Sequence, residues 1–288
     1  MKTKQLQPTK KLELYEKLLL YGPFGIAGIF FLVCLVIEVT GMELSKELRG
    51  EIYIKSGNFT FALSILLSIL YGQKYGLSWL RSIIYSLASF LLVFSAASQL
   101  WRDLDLKVFD SASVASFRSI LLLPVLCWIL SRFDGRSTLT LCDYLTPYYF
   151  FQHGITTHAC WIAGCCEGRT MAWGIINPNT GLPAFPAQPY AIVLALSISL
   201  WGLLNARKKD YKTHGEIFSG SLIVYGFFRY VMEFFTDDLL VTGYLSLYSY
   251  YSLLLILMGF GVRWYLRRRP VRSMEIDSSK PFVKNVEE

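Results

Sequence analysis

The sequence predicts an all-α polytopic membrane protein, a bundle of about eight transmembrane helices with both termini in the cytoplasm. Three observations predict it. Of the 288 residues 53% are hydrophobic and only 17% charged, with a mean hydropathy of +0.41, against roughly 25% charged in an average soluble domain. The apolar residues come in blocks of about 18–22, enough to cross a hydrocarbon core. The loops between those blocks alternate between basic and acidic along the chain.

The expected helices run, in order, over about 19–41, 58–72, 79–100, 113–131, 141–161, 188–205, 216–235 and 245–266. The second is short and the fifth is the most polar. A basic lead-in over 1–18 (Lys2, Lys4, Lys10, Lys11, Lys17) precedes the first. That first block is longer than the apolar region of a cleavable signal peptide, and no small-residue cleavage site follows it cleanly. Between the fifth and sixth helices, residues 162–187 hold Gly164, Gly168, Gly174, Asn177, Pro178, Gly181, Pro183 and Pro186. That composition reads as a long turn-rich loop, of a length usually kept for function. Residues 267–288 read as a basic, disordered cytoplasmic tail after a membrane domain spanning 19–266.

Sidedness follows from the charges. The N-terminus, the segment around Lys74 and Arg81, Arg132–Arg136, Arg207–Lys212 and Arg263–Arg272 are basic and fall on every second side. The intervening loops carry Glu43–Glu51, Asp103–Asp110 and Asp237–Asp238. The positive-inside rule places the basic loops in the cytoplasm. The net charge of +7 is therefore spread over one membrane face beside anionic lipid, and a nucleic-acid partner is not expected. Six cysteines make no disulfide framework: Cys34 and Cys127 lie mid-helix, Cys142 and Cys160 bracket the fifth helix, and Cys165 and Cys166 are adjacent.

Charged and titratable groups inside membrane segments are costly and mark sites by default. On the seventh helix Tyr225, Arg229 and Glu233 recur at i, i+4 and i+8, on one face. A guanidinium there suits an anionic headgroup, since its fork can hold two phosphate oxygens; a structural Arg–Glu brace uses the same residues. The fifth helix carries Asp143 near its start, then His153, Thr157 and Cys160 on one face and His158 on another. Either histidine could act as a base near neutral pH, or serve only in interhelical hydrogen bonds; the choice between them stays open. Arg118 on the fourth helix either snorkels to the interface or shares a cavity with Arg229. Gln188 and Tyr190, opening the sixth helix, could line its mouth. The His158, Cys160, Cys165, Cys166 spacing fits no common zinc pattern, so no metal is expected.

At these residues the chain resembles the bacterial prolipoprotein diacylglyceryl transferase family over about residues 58–266. Asp143 and Pro147 match the Asp and Pro opening the family's signature helix. Gly164-Cys165-Cys166-Glu167-Gly168, followed by Arg169, matches the end of the signature. Tyr225, Gly226, Arg229, Glu233 and Phe234 match its Tyr-Gly-x-x-Arg-x-x-x-Glu-Phe pattern. The family's seven helices then correspond to the second through eighth here, with one extra at the N-terminus. The resemblance implies transfer of a diacylglyceryl group from phosphatidylglycerol to the thiol of a lipobox cysteine on a prolipoprotein signal peptide, without a cofactor, at the bacterial inner membrane. It implies a catalytic role for Arg229 with Glu233, and substrate contacts from Tyr225, Gly168, Arg169, Gln188 and Tyr190; Arg118 and one of His153 and His158 are candidates to replace a signature arginine and a motif histidine that this chain lacks.

Three motifs depart. Where the signature has Gly-Arg this chain has Thr156-Thr157. Where the family has Phe-His-Gly-Gly it has Phe117-Arg118-Ser119-Ile120. The His-Pro-x-Gln-x-Tyr-Glu motif is Phe185-Pro186-Ala187-Gln188-Pro189-Tyr190-Ala191, without its His and Glu. A same-fold enzyme with another donor or acceptor, and a non-catalytic membrane protein that binds anionic lipid, are the competing readings. A transporter is a weaker one, because no pair of broken helices is visible.

Overall fold

The computed structural model of the chain describes residues 10–40, 44–72, 77–90, 112–164, 168–177, 180–206, 214–235 and 246–268. Among them are eight α-helices: α1 (Lys10–Thr40), α2 (Lys46–Gly72), α3 (Trp79–Phe90), α4 (Ala112–Asp134), α5 (Thr138–Ala163), α6 (Ala187–Ala206), α7 (Glu216–Met232) and α8 (Leu247–Arg268). Two segments, Leu20–Glu38 in α1 and Ala187–Ala206 in α6, are long and apolar enough to cross a membrane. The outward faces are apolar as well as the core, with Ile29, Leu32, Phe227 and Leu257 all largely exposed. Such a surface belongs against lipid.

α5 is the hub. Every residue from Leu141 through Gln152 is buried, and the helix packs against α1, α2, α4, α6 and α7. Its ends are well specified. Ser137 caps the start, its Oγ accepting from the Thr140 N–H at 3.2 Å, a hydroxyl replacing the missing intrahelical acceptor. Gly164, in the left-handed region at φ 65°, ends it by donating its N–H to the Cys160 and Trp161 carbonyls. Pro147 lies inside the helix and removes one ladder donor; the Pro147 carbonyl in turn accepts from Ser199 Oγ of α6 at 2.7 Å.

α7 and α8 lie together at close range. A side chain at Gly226 would meet the Ser252 carbonyl at 2.8 Å, and one at Gly259 the Ser219 carbonyl at 2.8 Å. Backbone approach through small residues is how helices associate in lipid, where burial of apolar surface gives no drive.

The structure differs from the sequence expectation at element ends and in one loop. α2 begins at Lys46 rather than near 58, because the charged stretch before the apolar block is itself helical, with Lys55 and Glu51 paired at i, i+4 and 2.8 Å. α3 is described only to Phe90. The turn-rich segment after α5 is not irregular throughout. It contains an antiparallel pair, β1 (Thr170–Ile176) with β2 (Pro183–Ala184), so the described residues are mostly helical with a small antiparallel pair among them. β-branched and aromatic residues in β1 supply the strand propensity. Asn177 supplies the turn, its Oδ1 accepting from Thr180 N–H at 3.1 Å and its carbonyl from Gly181 N–H at 2.8 Å.

Candidate functional site

Asp143 fixes the helix that carries the site. α7 starts at Gly215, which has no side chain to cap it. The buried Asp143 carboxylate of α5 takes that role, accepting from Gly215 N–H at 2.5 Å and Phe218 N–H at 2.7 Å. A carboxylate at a helix N-terminus satisfies orphan donors and lies favourably in the helix dipole. The sequence places Asp143 only near the start of its own helix; the structure has it capping α7, 72 residues on.

About three turns along α7 from that cap, Tyr225 is buried and its hydroxyl lies 3.4 Å from His153 Nε2 of α5. The His153 ring stacks on Tyr149 at 6.3 Å and meets Tyr225 edge-on at 5.8 Å. One turn further, Arg229 donates to Glu233 Oε1 at 2.9 Å, with side chains 16% and 4% exposed. Glu233 Oε2 accepts from Ser246 Oγ at 2.7 Å. The Arg229 guanidinium also lies over the Tyr248 ring at 5.9 Å. Neither Ser246 nor Tyr248 was singled out from sequence. The signal for Ser246 was a helix cap: its Oγ accepts from Ser249 N–H at 3.1 Å at the start of α8.

The end of the signature run is brought to the same place. Arg169 N–H donates to the Phe235 carbonyl at 2.7 Å, two residues past Glu233, and Gly168 N–H donates to the Phe185 carbonyl at 3.1 Å. A side chain at Gly168 would lie 2.6 Å from the Phe235 carbonyl, so the glycine permits the close approach. The Arg169 side chain is exposed. Phe185 stacks between Phe235 at 4.7 Å and Tyr190 at 5.5 Å. Tyr190 is half exposed, whereas Gln188 is buried.

His158 lies elsewhere. It is buried, its Nδ1 is 2.9 Å from the Gly154 carbonyl, and Phe30 and Phe31 of α1 meet its ring edge-on. Next to it Trp161 Nε1 donates to Glu38 Oε2 of α1 at 2.6 Å. Thr156 and Thr157, at the position of the Gly-Arg, spend their hydroxyls on the Gln152 and His153 carbonyls of their own helix at 2.8 and 2.7 Å. The side chain of Arg118, on α4, and residues Cys165, Cys166 and Glu167 lie outside the described residues. Among the described residues no group of His, Cys, Asp and Glu is arranged to hold a metal.

The arrangement has the parts for anion recognition and proton handling side by side: a half-buried, oriented guanidinium, and an imidazole beside a phenol. Residues 12–265 match the family described as prolipoprotein diacylglyceryl transferase. Among curated proteins named phosphatidylglycerol–prolipoprotein diacylglyceryl transferase, the one from Cupriavidus pinatubonensis is 28% identical over 197 residues, covering 65% of this chain and 70% of its own. That from Oleidesulfovibrio alaskensis is 28% identical over 165 residues, 54% of this chain and 60% of its own. That from Paracidovorax citrulli is 31% identical over 155 residues, 49% of this chain and 56% of its own.

Proposed function

This chain belongs to the prolipoprotein diacylglyceryl transferase family, and from that premise we propose that it is a bacterial inner-membrane transferase moving a diacylglyceryl group from phosphatidylglycerol to a lipobox cysteine thiol. The observation that carries the reading is the half-buried Arg229–Glu233 pair one turn from the Tyr225–His153 contact. In this proposal Arg229 holds the donor's phosphate. A guanidinium has five N–H groups and can engage a carboxylate on one edge and a phosphate on another. Glu233, itself held by Ser246, sets its orientation.

In the reaction the acceptor sulfur forms a bond to the terminal glyceryl carbon of the diacylglycerol unit. The carbon–oxygen bond to phosphate breaks, and glycerol phosphate leaves with the electron pair. The thiol proton passes to His153, which Tyr149 and Tyr225 hold in place. Charge grows on the leaving phosphate oxygen in the transition state, where a fixed guanidinium in a dry site is most effective. His158 is assigned to packing against α1, and Gly168 and Arg169 to holding the loop beside the donor site. Gln188 and Tyr190 would border the entrance, with the signal peptide arriving from lipid.

A second reading, the same fold acting on a different donor or acceptor, is favoured by one observation. The position of the signature arginine holds Thr156 and Thr157, both hydroxyls closed on their own helix, and so offers no cation. The alternative of a non-catalytic protein binding anionic lipid uses the same Arg229.

Complementation separates these. The chain and its Arg229→Ala variant are expressed in a strain depleted of its own prolipoprotein diacylglyceryl transferase, with membrane expression checked. Rescue by the chain and not by the variant supports the transfer reaction at Arg229. No rescue from a membrane-inserted chain refutes it. Altered lipid turnover in a deletion strain then supports another substrate, and unaltered turnover supports binding alone.

A further inference from the structure

Towards the other end of α8 a cavity opens between α4, the start of α5 and α8. Its volume is about 580 Å³, and Trp128, Arg132, Arg136, Thr138, Gly261 and Tyr265 are among its walls. Tyr248, beside Arg229, and Gly261 are both on α8 and about 20 Å apart along its axis at 1.5 Å per residue. The cavity is therefore separate from the candidate active site.

Its chemistry is graded along the helices. On α4, Val125, Trp128 and Arg132 fall at i, i+3 and i+7, one face; Val125 is half exposed, and the Arg132 guanidinium lies 5.0 Å over the Trp128 ring. On α8, Leu257, Gly261 and Tyr265 fall at i, i+4 and i+8, and Leu257 is exposed. A side chain built at Gly261 would have nothing within 4 Å, so the wall is open there. The α4 face thus runs from an exposed aliphatic residue, through an aromatic level, to an arginine, and the α8 face from an exposed aliphatic residue to an aromatic. That is the order of a lipid's own parts: acyl chain, interfacial ester region, charged headgroup. Arg136, on the turn between α4 and α5, brings a second guanidinium to the headgroup end, and the hydroxyls of Ser131 and Thr138 lie 3.2 Å apart beside it.

We infer that this cavity is a binding site for one anionic phospholipid, its phosphate held by Arg132 and Arg136 and one acyl chain running down the groove between α4 and α8. Paired guanidinium forks are the groups that recognise phosphate. A basic pocket between transmembrane helices is where anionic lipid headgroups settle. The inference rests on the chain's lying in a bilayer and not on which reaction it performs. Its lipid is a resident of the protein, distinct from any donor held by Arg229.

The test uses the full chain in phosphatidylcholine nanodiscs doped with phosphatidic acid. Lipids that stay bound on gentle detergent extraction are counted by native mass spectrometry. Wild type and Arg229→Ala are expected to retain phosphatidic acid at this site alike. The Arg132→Gln/Arg136→Gln double variant is expected to bind it about tenfold or more weakly. Quenching by phosphatidic acid brominated on its acyl chain supplies a readout that needs no charge variant: the quenched signal should fall in Trp128→Phe. Retention by the double variant at wild-type level would overturn the inference, as would equal retention of phosphatidylcholine. Displacement of the lipid by soluble glycerol phosphate would assign the site to a free phosphate instead. Loss of retention in Arg229→Ala alone would place the bound lipid at the other end of the bundle.

Discussion

Removing the Asp143 carboxylate should loosen α7 as a unit, and the size of the effect can be worked from its two bonds. Its oxygens accept from the Gly215 and Phe218 N–H groups, and the side chain is buried. Asp143→Ala leaves both donors in a site that water does not reach. At about 1–3 kcal/mol for each unsatisfied buried donor, the cost is about 2–6 kcal/mol. Asp143→Asn keeps one accepting oxygen but turns an NH₂ toward the other donor, so about half that loss is expected, ~1–3 kcal/mol. The assay is reversible unfolding in mixed micelles, with the midpoint and slope followed by tryptophan emission. The order should be wild type, then Asn, then Ala. Because α7 also positions Arg229, the Ala variant should lose activity in the same order as it loses stability. Asp143→Ala within ~0.5 kcal/mol of wild type, the scatter of ordinary surface changes, would show that α7 starts without this cap, and the reasoning would fail.

Three further outcomes follow from the geometry. His153→Ala should lower the rate of thiol alkylation far more than His158→Ala, by the roughly 10²–10⁴-fold that a general base contributes, and His158→Ala should instead lower stability; equal rate losses would remove the assignment. Glu38→Gln and Trp161→Phe should each weaken the docking of α1, since a hydrogen bond to a charged group contributes about 1.5–3 kcal/mol; a double-mutant cycle with no coupling would show that the 2.6 Å contact contributes nothing. Burial holds the His214 imidazole, in the turn before α7, below its ordinary value. The unfolded chain then takes up the proton first, so stability should fall as pH drops through the ordinary histidine range near ~6.5 and level off below the folded value. His214→Gln should flatten that slope in a thermal melt across the same window.

Much of this was legible in the residues. The i, i+4, i+8 spacing of Tyr225, Arg229 and Glu233 located the polar face of α7, because helical periodicity is a local property and survives any packing. The glycines, prolines and Asn177 of the segment after α5 gave turns for the same reason. What the sequence could not supply was long-range pairing. Nothing local to Asp143 says that its partners are the N–H groups of Gly215 and Phe218, and a carboxylate five residues into a helix reads as readily as a cap for its own start. The two histidines of α5 are likewise equivalent by type. Only the packing of α1 on one face and α7 on another tells His158 from His153. The hairpin was missed because Gly174 and the prolines outweigh the strand propensity of Thr170–Ile176, while the pairing that rewards that strand lies across the turn. Helix ends moved wherever charged residues continue a helix past its apolar block, as at the start of α2.

The main-chain bond from Arg169 to Phe235 makes a mechanical linkage out of two segments far apart in sequence. The short turn Glu233–Phe235 hangs between that bond and the Glu233 contact with Arg229. In the proposed reaction, a peptide pressing on the loop that bears Arg169 would pull on a lever whose far arm is the carboxylate steering the guanidinium. Arrival of one substrate would then be felt, through one main-chain hydrogen bond and three residues of backbone, at the grip on the other.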